Sequence, residues 1–265
     1  MMKKLLHLEW KKLSKPIIIS HILSIILMVV LTCTLYKNYS LEYDLEAWQI
    51  VSEYFMLILP LIVVLPSCWL LYYERKDRFI LLTVSRIPKR KYIFAKWFIV
   101  AGHSFSIMFL TMIIGVIVAL YIKPPIISNL SLIDPVTGEL ISRIKAYHFF
   151  GKMFAEQPLL YGFMMSVWRG LLGIVLATMG FVLSLFSRNI FIILSGPFLY
   201  FLLENYIFEV LELQPFKFAN SFEPAWDIND QYPITLLVAP IIAVLYTVVV
   251  YFYFVKIKKQ AIYEM

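Results

Sequence analysis

A chain of 265 residues that is 61% hydrophobic and 15% charged, with a mean hydropathy of +0.80, carries too little polar surface for a soluble domain and reads as an integral membrane protein. A net charge of +7 would suggest nucleic acid in a soluble protein, but here the cations stand beside apolar stretches, where membrane topology accounts for them; no nucleic-acid partner is expected. The two cysteines, Cys33 and Cys68, fall at different depths, so no disulfide or metal framework follows.

The chain opens on a basic segment in which Leu6, Trp10, Leu13 and Ile17 recur at spacings of four, three and four among Lys3, Lys4, Lys11, Lys12 and Lys15. This pattern predicts an amphipathic helix over residues 1–16, lying in the membrane interface and ended by Pro16. The apolar stretch that follows is span-length and lacks a small-residue cleavage site, so the segment is expected to be retained.

Six stretches are long and apolar enough to cross a bilayer: 17–36, 52–73, 97–122, 160–187, 190–208 and 233–255. Segment 74–96, between the second and third, holds eight of the 24 Lys and Arg residues: Arg75, Lys76, Arg78, Arg86, Lys89, Arg90, Lys91 and Lys96. The fourth and fifth are separated only by Ser187, Arg188 and Asn189, a tight helical hairpin. Seventeen Lys and Arg residues fall on the side of the termini and of 74–96, against six on the other side, which predicts that both termini are cytoplasmic in a multi-pass plasma-membrane protein. Segments 123–159 and 209–232 are then extracellular. In the first, Leu140, Ile144, Tyr147, Phe150 and Phe154 at helical spacing suggest an interfacial helix.

Along the fourth span, small residues recur every three or four positions at Gly162, Ser166, Gly170, Gly173, Ala177, Gly180, Ser184 and Ser187. Lipid supplies no hydrophobic force to join helices, so such a seam serves close backbone approach, either as a static contact within the chain or as a surface that slides. Two charges lie within spans: Arg169 in the fourth and Glu204 near the outer end of the fifth. Across an antiparallel hairpin they can meet; alternatively Arg169 snorkels and Glu204 reaches the outer surface. Pro60, Pro66, Pro197 and Pro240 mark places where spans can bend.

Of catalytic patterns there are none. No Gly-x-x-x-x-Gly-Lys-Ser/Thr, His-Glu-x-x-His or Gly-x-Ser-x-Gly stands in the chain, and the four histidines share no ligand-like spacing. The chain is therefore expected to bind no nucleotide, cofactor or metal by itself, and not to be an enzyme.

The basic segment with Leu8-Glu9-Trp10-Lys11-Lys12, the six spans, and the loop running from Glu74 to Lys96 resemble the permease subunit of an ABC-2 type transporter. In place of the Pro-x-Ser-Arg-like turn that members often carry, this chain has Ser85-Arg86-Ile87-Pro88-Lys89-Arg90. The resemblance implies an all-α fold of six transmembrane helices with an N-terminal interfacial helix and a cytoplasmic coupling helix between spans two and three. It implies as partners two copies of a separate ABC ATPase, which bind ATP and Mg, a second permease chain in a homo- or heterodimer, and the lipid bilayer. The coupling residues it implies are Glu74, Arg75, Asp77, Arg78, Phe79, Ile80, Leu81, Leu82, Ser85 and Arg86. Phe79 to Leu82 form an apolar centre between charge clusters, as burial in a partner requires, whereas a loop lying on anionic lipid needs none. A small member with an aromatic outer face is similar to bacterial peptide or bacteriocin exporters and immunity permeases. An ion-driven secondary transporter and a membrane scaffold or sensor are the alternatives.

Overall fold

A computed structural model describes residues 2–80, 87–126, 132–133, 140–142, 144–145, 148–224 and 235–257. Among them, six helices are long and apolar enough to cross a membrane, and the chain is an all-α multi-pass membrane protein. The spans are α1 (Met2–Thr34), α2 (Glu46–Val64) continued by the short α3 (Trp69–Lys76), α4 (Lys89–Ile117), α6 (Pro158–Phe186), α7 (Ile190–Val210) and α9 (Thr235–Phe252). Two short helices outside the spans are α5 (Gly151–Glu156) and α8 (Phe218–Phe222), and residues 79–80 and 144–145 are helical as well. The face that carries the N-terminus is rich in Lys and Arg and is called the basic face; the opposite one is the acidic face.

The central helix is α6, the most enclosed of the six, packed along its length on α4 and flanked by α2, α7 and α9. Trp48, Phe55, Leu59 and Val63 of α2, Ile107, Met112 and Val116 of α4, and Met165 and Leu176 of α6 fill the core. The outward faces of α1, α7 and α9 expose large apolar side chains, as helices bathed by lipid do.

Three expected boundaries move. No interfacial helix ends at Pro16: α1 runs unbroken through it and buries Leu5, Glu9, Leu13 and Ile17 along one stripe. A proline removes a single backbone bond, and a continuous face against α4 outweighs it; Trp10 lies off the buried stripe and is exposed. Span two is interrupted at Pro66. Leu65 still donates to the Leu61 carbonyl, but Pro66 has no N–H, and Ser67 turns back to Val64, so α3 restarts at Trp69. Pro60, Pro197 and Pro240 stay inside continuous helices. Finally, α3 reaches Lys76 and α4 starts at Lys89, directly after an extended Pro88 whose carbonyl accepts from Lys91 and Tyr92. Residues 77–88 therefore join the ends of α3 and α4, with 79–80 helical.

On the acidic face, the expected helix over residues 140–154 does not form. Leu140–Ile141 pairs antiparallel with Leu132–Ile133, residues 144–145 are helical, and α5 begins only after Phe150, which is in the left-handed region at φ 55°. Asp44 ties this segment down through Lys123 and the Ile126 N–H, and Glu42 accepts from the Ile144 N–H.

Candidate functional site

Two buried charge clusters stand in opposite halves of the bundle. At the basic face, α1 supplies Glu9 and Lys12, α3 supplies Glu74, and α4 supplies Tyr92 and Lys96. Lys96 Nζ lies 2.5 Å from Glu9 and 2.6 Å from Glu74, and Lys12 Nζ lies 3.0 and 2.8 Å from the same two acids. The Tyr92 hydroxyl donates to Glu74 at 2.5 Å. Two acids and two bases cancel, which is what lets Glu9, Glu74 and Lys96 be buried at all. One residue further on, Arg75 points the other way. Its guanidinium donates to the carbonyls of Ser184 and Ser187 at 2.9 and 3.0 Å, capping the α6 C-terminus where it turns into α7.

Adjacent residues of α3 thus hold different neighbours, α1 and α4 through Glu74 and the α6–α7 hairpin through Arg75. The break at Pro66 separates α3 from the rest of its span, and the link 77–88 leads directly out of it. There Arg78 adopts a left-handed conformation at φ 56°, and Lys12 Nζ sits 5.0 Å from the Phe79 ring centroid.

The second cluster lies deep in the half nearer the acidic face. Arg169 is eleven residues into α6, about 16 Å from its end at 1.5 Å per residue. It is fully buried: Nε donates to the Phe222 carbonyl at 3.1 Å, one terminal nitrogen donates to the Ser52 hydroxyl at 2.8 Å, and the other forms an ion pair with Glu223. The guanidinium stacks 4.2 Å from the Trp48 ring centroid and 4.9 Å from that of Phe222. Glu204 instead accepts the Phe218 N–H through both oxygens at 3.1 Å, and Asn205 accepts that of Ala219. Trp168 Nε1 donates to the Ser221 carbonyl at 2.7 Å. Helix α8 is thereby drawn into the bundle, so 209–232 is not wholly an external segment.

Neither expectation for the intramembrane charges holds: Arg169 and Glu204 do not pair, and neither reaches solvent. The reason is that α8 offers both of them closer backbone partners, with Glu223 as the counter-charge. Of the expected coupling residues, Glu74, Arg75 and Ile80 are buried within the chain rather than presented outward, because each has a partner or a packed surface there. Asp77, Arg78 and Phe79 are exposed. Leu81, Leu82, Ser85 and Arg86 lie outside the described residues. The seam of α6 is an internal contact. A Cβ on Gly162 would meet Val116 at 2.6 Å, one on Gly170 Phe105 at 2.7 Å, one on Gly173 the Ser104 carbonyl at 3.0 Å, and one on Gly180 Val64 at 3.0 Å. Ser166 and Ala177 on the same stripe are buried.

Glu9 was legible as an acid at helical spacing between Leu5 and Leu13, a place an unpaired carboxylate does not occupy. Glu223 carried no such signal, since its segment is polar and proline-bearing. No family model, curated protein or solved structure matches the chain.

Proposed function

We propose that the chain is the membrane-spanning subunit of an ABC-2 type exporter, inserted with the basic face cytoplasmic, that works as a dimer with two copies of a separate ATPase. The observation that carries this reading is that Glu74 holds α1 and α4 while Arg75 holds the α6–α7 hairpin, one helical turn or less from the 77–88 link. A push on that link is passed through α3, hinged at Pro66, to α1 and α4 on one side and to the α6–α7 hairpin on the other. Such a lever gives a cytoplasmic motor a mechanical route into the spans. ATP and Mg belong to the ATPase, and the cargo is a peptide or another amphipathic molecule.

Co-purification in mild detergent tests it. A nucleotide-binding ATPase is expected to come down with the tagged chain and to fall at least tenfold with Phe79→Asp, a change at an exposed position of the link. Recovery of no such protein with the wild-type chain sinks the proposal. A second reading, an ion-driven transporter, draws on α8, a short helix that enters the bundle with its ends at buried charges. Uptake or efflux that persists in ATP-depleted vesicles and follows an imposed ion gradient would favour it.

A further inference from the structure

We infer that the cleft between α6 and α9 and the Arg169 guanidinium form one binding site for an anionic amphiphile, a single alkyl chain ending in a carboxylate or phosphate. Its head takes the place that Glu223 now holds. The cleft is lined by Trp168, Leu171 and Val175 of α6 and by Leu237, Ile241 and Val244 of α9, with no charged side chain in its wall. Its volume of about 310 Å³ lies at the small end of ligand sites, roughly 300–1,000 Å³, and suits one chain rather than two.

Helix α8 packs on α9 and meets this cleft at Trp168. Trp168, on the cleft wall, holds the Ser221 carbonyl, while Arg169 holds Phe222 and Glu223. The three-residue strip Ser221 to Glu223 therefore touches both the cleft wall, at Trp168, and the guanidinium. A chain in the cleft would run toward the basic face, with its head at the depth of Arg169.

The hydrogen-bonding capacity around Arg169 exceeds what Glu223 uses. The Trp48 indole N–H and the Tyr161 hydroxyl are fully buried beside the guanidinium, with ring centroids 6.5 Å apart, and have no hydrogen-bond partner among the described residues. The second carboxylate oxygen of Glu223 has none either. A carboxylate tethered to a short helix reaches the seat with one oxygen; a free carboxylate or phosphate can turn to use the guanidinium and both idle donors. Removing Glu223 leaves a buried cation, so the head must be anionic, and a quaternary ammonium is excluded.

Reading this ligand as the cargo rests on the function proposed above; the binding site does not, and its test reads binding alone. The full chain in maltoside detergent is titrated with 2-bromododecyl phosphate, whose bromine, beside the head group, quenches nearby tryptophan fluorescence. Saturable quenching is expected, reduced with Trp168→Phe, with at least tenfold weaker binding of 2-bromododecyl trimethylammonium. Glu223→Gln, which removes the internal competitor, should bind the phosphate probe at least tenfold more tightly. Ile241→Trp, which fills the cleft and leaves the ion pair intact, should abolish binding, so the outcome does not hang on an Arg169 variant that fails to fold. Competition by single-chain dodecanoate is expected, and stronger competition by an equal concentration of two-chain phosphatidylglycerol would overturn the single-chain reading. Equal affinity for the two head groups, no gain with Glu223→Gln, or full competition by an equal concentration of inorganic phosphate would each overturn it.

Discussion

Glu204 and Arg169 hold opposite ends of one five-residue helix: Glu204 accepts the Phe218 N–H at its start, and Arg169 donates to the Phe222 carbonyl at its end. The two charges are coupled through α8 rather than through each other. Each satisfies backbone groups that a helix end leaves open, and Glu223 completes the neutralisation.

Breaking that arrangement from one side should be costly. Arg169→Leu strands Glu223 in a buried site and is expected to destabilise by about 3–5 kcal/mol, whereas Arg169→Leu with Glu223→Leu should recover at least about 1 kcal/mol of that loss. Denaturation of the purified chain in mixed micelles measures the cycle. Strictly additive effects would show that the pair is not coupled.

The two lysines of the basic-face cluster should differ. Lys96 is 4% exposed and Lys12 35%, so Lys96→Met leaves two buried acids to share one half-exposed cation. A cost on the order of 3 kcal/mol is expected for Lys96→Met, and no more than about 1 kcal/mol for Lys12→Met. The same unfolding assay compares them; equal costs would contradict the burial argument.

Glycines of the α6 seam should be intolerant where backbone opposes them. Gly173→Ala drives a Cβ to 3.0 Å from the Ser104 carbonyl, whereas Gly102→Ala in α4 meets nothing within 4 Å. The first should lower the Tm. The second should leave the Tm unchanged or raise it, by up to the roughly 1 kcal/mol of stability that separates Gly from Ala in a helix. A neutral Gly173→Ala would show that α4 and α6 can part at that point.

Acidification should weaken the acidic-face segment through His148. Burial pushes this imidazole down to about 4, although its Nδ1–H donates to the Phe149 carbonyl at 2.7 Å. The folded value lies below the unfolded value of about 6.5, so the stabilisation is complete above pH 6.5 and is lost as the pH falls from there to 4. The Tm of the wild-type chain is expected to drop over that window. His148→Phe should flatten the drop, and an unchanged pH profile in that variant would rule the imidazole out as its source.

The sequence by itself determined the six spans, the α6–α7 hairpin and the small-residue stripe of α6. These are local properties: run length, a three-residue polar gap, and a recurrence every three or four residues that any helix turns into a face. Tertiary structure alone decided who neutralises whom. Arg169 finds Glu223 more than fifty positions away, and Lys96 finds Glu9 across three helices, because a buried charge is settled by whatever counter-charge the fold brings to its depth. The path of α1 through Pro16 was likewise decided by the face of α4 that receives it.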